Sequence, residues 1–426
     1  MRVVGEKLFN EIGKRCIQEV KRNLNLWLVL ALSVILMLSG CGAKPTTSPT
    51  SSPTAPGTST EVKSINIGYT GPLSGGAALY GKDVTDGLDM AVDEINAKGL
   101  MVNGQKYKIN FVKLDDQYLP DKAATNARRL KAEYNAPVIF IPHSGGAFAL
   151  QQFNETDGFL MMAYTSEPKM TETGNKLTLR IPPPYNLYPE EFSKRVMEKY
   201  GKKVALVPTT SQYGKDWSSV FIPTWEKLGG TIVANTPVDY NKEADFNTYL
   251  SKALAAKPDV LFVGGPSQPT ALVIKQARQL GFNGGFVVMD QAKVEQMAQT
   301  VPLADLNGVV GVVPVYLYDS PGATPFVERF KAKYNGKVPA WESAWNYEYM
   351  ILLAKGIEKA GNVTDATKIF EGIKAVTPFN DPSLVVPLPG VDSKGGSMVD
   401  GTGIMVIDGK YTKPFSIKNP ANPANK

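Results

Sequence analysis

Three short stretches of this chain hold residue types that could do chemistry. Gly76-Ala77-Ala78-Leu79-Tyr80-Gly81-Lys82-Asp83 matches three of the four fixed positions of a phosphate-binding P-loop. The fourth should be Ser or Thr, whose hydroxyl holds magnesium. Asp83 stands there instead and would repel phosphate, so the stretch reads as a loop before a helix. Pro142-His143-Ser144-Gly145-Gly146 lies between a strand pattern and a helix pattern, the setting of a nucleophilic serine elbow. Pro142 replaces the first glycine of that motif, and His143 adjoins the serine, whereas a triad base must face it from another loop. A helix start with free N–H groups and a hydroxyl suits a bound carboxylate better. Asp115-Asp116 could be paired catalytic carboxylates. Neighbours at a strand end point to different sides, however, so a solvated turn is expected, with one of them free to cap the helix near Pro120-Asp121.

The rarest residues narrow the chemistry further. The 426 residues include one histidine, His143, and two cysteines, Cys16 and Cys41. Zinc sites of the usual ligand spacing cannot be built from these, and an iron–sulfur cluster lacks ligands. Catalytic residues, metal ligands and cofactors are therefore not expected. Hydrophobic residues make up 43% and charged residues 20%, the balance of a globular chain, and the length allows two or three domains. Of the net charge of +6, half comes from residues 1–40, where six basic side chains face three acidic ones. The rest is too evenly balanced for a nucleic-acid surface.

The elements that would position these residues begin after an address segment. Leu26–Leu38 is an apolar run of thirteen residues behind Lys21-Arg22, short of the ~20 that span a bilayer and arranged like a secretory signal. It ends in Leu38-Ser39-Gly40-Cys41, which resembles a bacterial lipobox and implies lipidation of Cys41 and an outer-face membrane anchor. Residues 1–40 thus read as a lipoprotein signal, and the Pro/Ser/Thr-rich residues 41–62 as a flexible tether. With Cys41 acylated and Cys16 removed, the mature chain could form no disulfide.

From Ile65 strand and helix patterns alternate. Strands are expected at Ile65–Thr70, Tyr107–Leu114, Val138–Ile141 and Phe159–Ala163, with helices over Val84–Ile95, Asp121–Tyr134 and Ala147–Glu155. After Pro182-Pro183-Pro184 the rhythm restarts, with strands at Val204–Val207, Thr231–Ala234, Val260–Val263 and Phe286–Met289. The helices between them are Asp216–Leu228, interrupted by Pro223, then Phe246–Ala256 and Thr270–Leu280. Phe326–Tyr334 and Ser343–Ala360 are further helices. Such alternation means an α/β protein with two doubly wound parallel-sheet lobes, and ligands of such sheets sit beyond the C-terminal strand ends.

The order of these pieces is similar to the leucine/isoleucine/valine-binding protein family. Ile67–Gly75, Tyr80-Gly81, Ala91–Gly99, Gln212–Lys215, Asp245-Phe246, Pro258–Val260 and Gln276–Gly281 carry the resemblance, which spans Val62 to Tyr411. It implies a type I periplasmic binding protein, an extracytoplasmic lipoprotein that is not an enzyme. Such a protein would capture a small amino acid, of branched-chain type first, and deliver it to an ABC permease. A monomer without nucleic-acid partners is implied. So is a hinge of three crossings, near Ile181–Pro184, Val313–Val315 and Thr377–Pro382, between lobe 1 (63–182 and 315–380) and lobe 2 (183–314 and 381–426). By the same resemblance Ser144 and the Gly145 N–H hold the α-carboxylate, Ser166 adds a hydroxyl, and the Tyr164 carbonyl accepts from the ammonium. Tyr80 and Tyr213 wall the cleft, Gly265 lies at it, and Asp290 faces the ammonium. Pro266 stands where many members carry an aromatic residue over the ligand, and His143 and Phe148 are unusual neighbours. An amide, a urea-like compound or an aromatic carboxylate is therefore the alternative solute. A surface-anchored hydrolase is a reading from another class, against which the lone histidine speaks.

Overall fold

The computed structural model describes residues 62–426, so the signal, Cys41 and all but the last residue of the tether lie outside the described residues. Two sheets organise the chain. The first has the order β2-β3-β1-β4-β5-β6. It comprises β1 (Lys63–Gly71), β2 (Leu100–Val102), β3 (Gln105–Asp115), β4 (Val138–Ile141), β5 (Leu160–Ala163) and β6 (Thr178–Arg180). All its pairings are parallel except the edge strand β2 on β3. Helices α1 (Ala78–Lys98), α2 (Pro120–Tyr134) and α3 (Ser144–Gln151) connect these strands. The run Val138-Ile139-Phe140-Ile141 is apolar throughout because both of its faces are covered: Val138 and Phe140 enter one core, Ile139 and Ile141 another.

The second sheet has the order β13-β12-β11-β10-β9-β7-β8, with β14 on β12. Its members are β7 (Lys203–Pro208), β8 (Thr231–Asn235), β9 (Val260–Gly264), β10 (Gly285–Val288), β11 (Val309–Gly311), β12 (Gly401–Ile407), β13 (Lys410–Tyr411) and β14 (Phe415–Ile417). Around it lie α4 (Tyr188–Tyr200), α5 (Gln212–Lys227), α6 (Asn247–Ala255) and α7 (Ser267–Gln279). Three further helices, α8 (Ala323–Lys333), α9 (Trp341–Ala360) and α10 (Ala366–Ala375), return to the first sheet, with α9 packed along α1. The two sheets with their helices form the two doubly wound lobes.

Several expectations are corrected. Helix α5 starts four residues early and runs through Pro223 unbroken. The helix expected at Ala147–Glu155 begins at Ser144 and is split from a short turn at Asn154–Asp157. Helix α9 begins two residues early, at Trp341. Helices α4 and α10 and the antiparallel strands β12–β14 were not anticipated, although both helices bury one face at helical spacing, Tyr188, Phe192 and Val196 in α4 and Ala366, Ile369, Phe370 and Ile373 in α10.

The chain passes between the sheets after β6, after β11 and before β12. The first passage is held by Arg180, which is buried and donates to the Pro182 carbonyl at 2.6 Å; burial lowers its pKa to about 10. The third passage lies later than Thr377–Pro382. Residues 381–397 stay beside the first sheet, because the Val385 and Val386 N–H groups donate to Glu348 of α9 and Gly396 bridges to Arg180.

Candidate ligand-binding site

Loops beyond the C-terminal ends of β1, β3, β4, β5 and β10 converge on one cavity. Its volume is about 20 Å³, room for little more than one water, so the two walls stand nearly closed on each other. Its lining is Tyr80, Tyr118, Pro142, His143, Ser144, Tyr164, Thr165, Ser166, Pro182, Tyr213, Asp290, Gln291, Lys293 and Trp341.

The first wall is built on a fixed histidine. His143 caps α3, its Nδ1 accepting the Gly146 N–H at 3.0 Å. The proton must then sit on Nε2, which lies 3.0 Å from Asp116 Oδ2 and donates to it. These two bonds fix the ring's orientation and tautomer. Asp116 also accepts from the Thr70 hydroxyl at 3.1 Å and the Tyr118 N–H at 2.8 Å, and shows no surface to solvent. This overturns the solvated turn expected at Asp115-Asp116. Asp115 does face outward, binding the Leu73 N–H and Ser74 hydroxyl, and these bonds hold its carboxyl below the usual range. Tyr118 stacks on His143 with ring centroids 4.6 Å apart.

Beside this wall the Ser144 and Thr165 hydroxyls lie 2.7 Å apart. One hydroxyl proton serves that bond and the other is left for an acceptor in the cavity. Tyr80 is anchored by its hydroxyl on the Pro142 carbonyl at 2.6 Å. The P-loop-like stretch has become the first turn of α1, and Lys82 is spent on Asp86 at 2.5 Å.

The opposite wall comes from the second sheet. Asp290 follows β10, and its Oδ1 accepts from the Tyr213 hydroxyl and, at 2.9 Å, from Trp217 Nε1. The Gln291 N–H donates back to the Tyr213 oxygen at 3.0 Å. Lys293 donates to the Asp290 carbonyl, pairs with Glu342 at 3.2 Å and lies 4.9 Å from the Trp341 ring centre. Burial pushes the Glu342 carboxyl up to about 7, against the pull of Lys293. The neighbouring Glu295 is pushed up to about 8, again chiefly by burial.

Of the residues expected at a site, Tyr80, Ser144, Tyr164, Ser166, Tyr213 and Asp290 all line this cavity. Gly145 and Gly265 stand outside its lining. A Cβ on Gly145 would face Pro120, and one on Gly265 would meet the Tyr240 ring at 2.9 Å. Sequence reasoning missed Tyr118, Thr165, Gln291, Lys293 and Trp341. Thr165 was legible as a hydroxyl next to Ser166, and Gln291 and Lys293 as the loop of Asp290. Tyr118 and Trp341 carry no local signal.

The periplasmic binding protein family model matches residues 64–410, most of the chain and both walls of the cavity. The chain belongs to the periplasmic binding protein family. This periplasmic binding protein is 28% identical over 340 residues to a leucine-, isoleucine-, valine-, threonine- and alanine-binding protein of Pseudomonas aeruginosa, covering 78% of this chain and 87% of the relative. It is similar to the solved leucine binding protein LivK of Thermotoga maritima, with a TM-score of 0.71 and 25% identity, over 85% of this chain and all of the other. The branched-chain amino acid binding protein LivJ of Streptococcus pneumoniae, solved with isoleucine, shares the fold at a TM-score of 0.71 and 22% identity, covering 84% of this chain and 100% of its own. These relatives are binding proteins, and the family is an extracytoplasmic one.

Proposed function

We propose that this chain is the solute-binding lipoprotein of an ABC importer, anchored through Cys41 and capturing a small amino acid between its lobes. The observation that carries this reading is the polarity of the two walls. Ser144, Thr165 and Ser166 offer hydroxyl donors from the first lobe, and Asp290 a carboxylate from the second. Such a pair suits a zwitterion, with the α-carboxylate toward α3 and the ammonium toward Asp290. Branched-chain amino acids are the first candidates, supported by the names of the relatives. Differential contact of the ligand with both walls would favour the closed state, and a membrane permease would recognise that state. The protein works as a monomer, without cofactor or nucleic acid, and releases its solute unchanged. Against hydrolysis stand the bond of Ser144 to Thr165 and the engagement of both His143 nitrogens elsewhere.

A thermal shift of the full chain against the common amino acids tests this. A ligand at 100 times its Kd should stabilise by about 2.7 kcal/mol. Silence toward every amino acid would reject the reading. Ser144→Ala and Asp290→Ala should each weaken binding about tenfold or more, since each leaves a charged ligand group short of a partner. An aromatic carboxylate is the second reading, favoured by the rings of Tyr80, Tyr118, Tyr164, Tyr213 and Trp341 on the cavity. Asp290→Asn separates the two, because a ligand without an ammonium should lose no affinity.

A further inference from the structure

The cavity is lined by no Leu, Ile, Val, Met or Ala side chain. Apart from Pro142 and Pro182, every lining residue carries a hydrogen-bonding atom. Two of these atoms are buried and have no partner within the protein: Gln291 Oε1 and Trp341 Nε1. The residues that bear them are 7% and 1% exposed. Gln291 uses its Nε2 on the Tyr118 hydroxyl at 2.9 Å, across the cleft. Whichever way that amide is turned, one of its ends meets Tyr118 and the other is left over. Trp341 can only donate. A branched aliphatic side chain would leave both groups desolvated and unpaired, the arrangement that discriminates most strongly in a binding site.

Charge narrows the partner further. Lys293 is already balanced by Glu342, and Asp290 adds a second negative group. A solute with an additional carboxylate would bring a charge for which no cation is spare. A neutral group with both a donor and an acceptor fits: its carbonyl would take the Trp341 N–H and its N–H₂ the free end of Gln291. We infer that Gln291 and Trp341 form a subsite for a carboxamide, so that the solute is an amino acid with an amide side chain rather than an aliphatic one. The inference rests on the amino-acid reading above and refines its side-chain class.

Titration calorimetry on the full chain in detergent decides it, with L-glutamine, L-asparagine, L-leucine, L-isoleucine, L-valine and acetamide as probes. Glutamine or asparagine should bind about 100-fold more tightly than the three aliphatic amino acids. In Gln291→Met, and independently in Trp341→Phe, that preference should shrink at least tenfold, with melting temperature as the check on folding. Leucine, isoleucine or valine binding as tightly as the amides would overturn the subsite and leave the amino-acid reading standing. Acetamide binding without any amino acid would overturn that reading while supporting the subsite. A preference unchanged in both variants would overturn the assignment to these residues, and no heat with any probe would overturn both proposals.

Discussion

Asp116 gathers three donors, from His143, Thr70 and the Tyr118 backbone, at a point closed to solvent. Its role is to hold the His143–Tyr118 stack as one rigid wall. Asp116→Ala should destabilise the protein by about 3 kcal/mol in urea unfolding, because it leaves buried donors unpaired. Wild-type stability would contradict that role. The buried acids set a pH dependence of folding. Glu295 is raised to about 8 and Glu342 to about 7, while unfolded glutamates titrate near ~4.3. Between those limits the folded state binds more protons than the unfolded one, so stability is greatest at the acid end. It falls as pH rises and levels off only above the folded pKa values. Glu295→Gln should flatten part of this slope in melting curves taken from about pH 5 to pH 9, and a slope as steep as wild type would exclude Glu295 as its source.

At the scale of elements, the first lobe depends on how closely α1 and α9 approach. The contact is made at Gly87, where an added Cβ would lie 2.0 Å from the Ser343 carbonyl oxygen. The Ser343 hydroxyl donates to the Asp83 carbonyl at 2.8 Å in the same seam. The same packing sets where Trp341, the first residue of α9, stands against the cavity. Gly87→Val should part the helices and destabilise the protein by about 2–3 kcal/mol. Ligand affinity should fall with it, since Trp341 would shift. Stability within about 0.5 kcal/mol of wild type would show that the seam yields without strain.

Across the whole molecule the lobes touch at separate points around the cleft. Tyr118 meets Gln291, Lys293 meets Glu342, and Lys169 reaches Asp216 at 3.1 Å. At the rim, Gly76 lies against the backbone of Asn241, with its missing Cβ only 2.6 Å from the Asn241 oxygen. A side chain there would obstruct closure without entering either core. Gly76→Val should therefore weaken solute binding at least tenfold while leaving the melting temperature of the ligand-free protein nearly unchanged. Small-angle scattering with saturating solute should show a larger radius of gyration for the variant than for wild type. Equal radii and equal affinities would mean that this rim contact plays no part in closure.

The sequence by itself determined the alternation of strands and helices through most of the body. Runs such as Val138–Ile141 and Val260–Val263 are apolar on every residue, and only a strand covered on both faces accommodates that. The family resemblance in turn named six residues that line the cavity, among them Ser144, Ser166 and Asp290, each just beyond the C-terminal end of a strand. The tertiary structure alone decided the rest. The carboxyl of Asp116 looked solvated because sequence adjacency to Asp115 hides that His143 and Thr70 come from other strands to meet it. Gln291 and Trp341 lie on different lobes and some fifty residues apart, so their joint presence at one cavity exists only after the sheets have formed and the lobes have met. Local periodicity records which face of an element is buried; which distant polar atoms are left facing each other is a property of the packed whole.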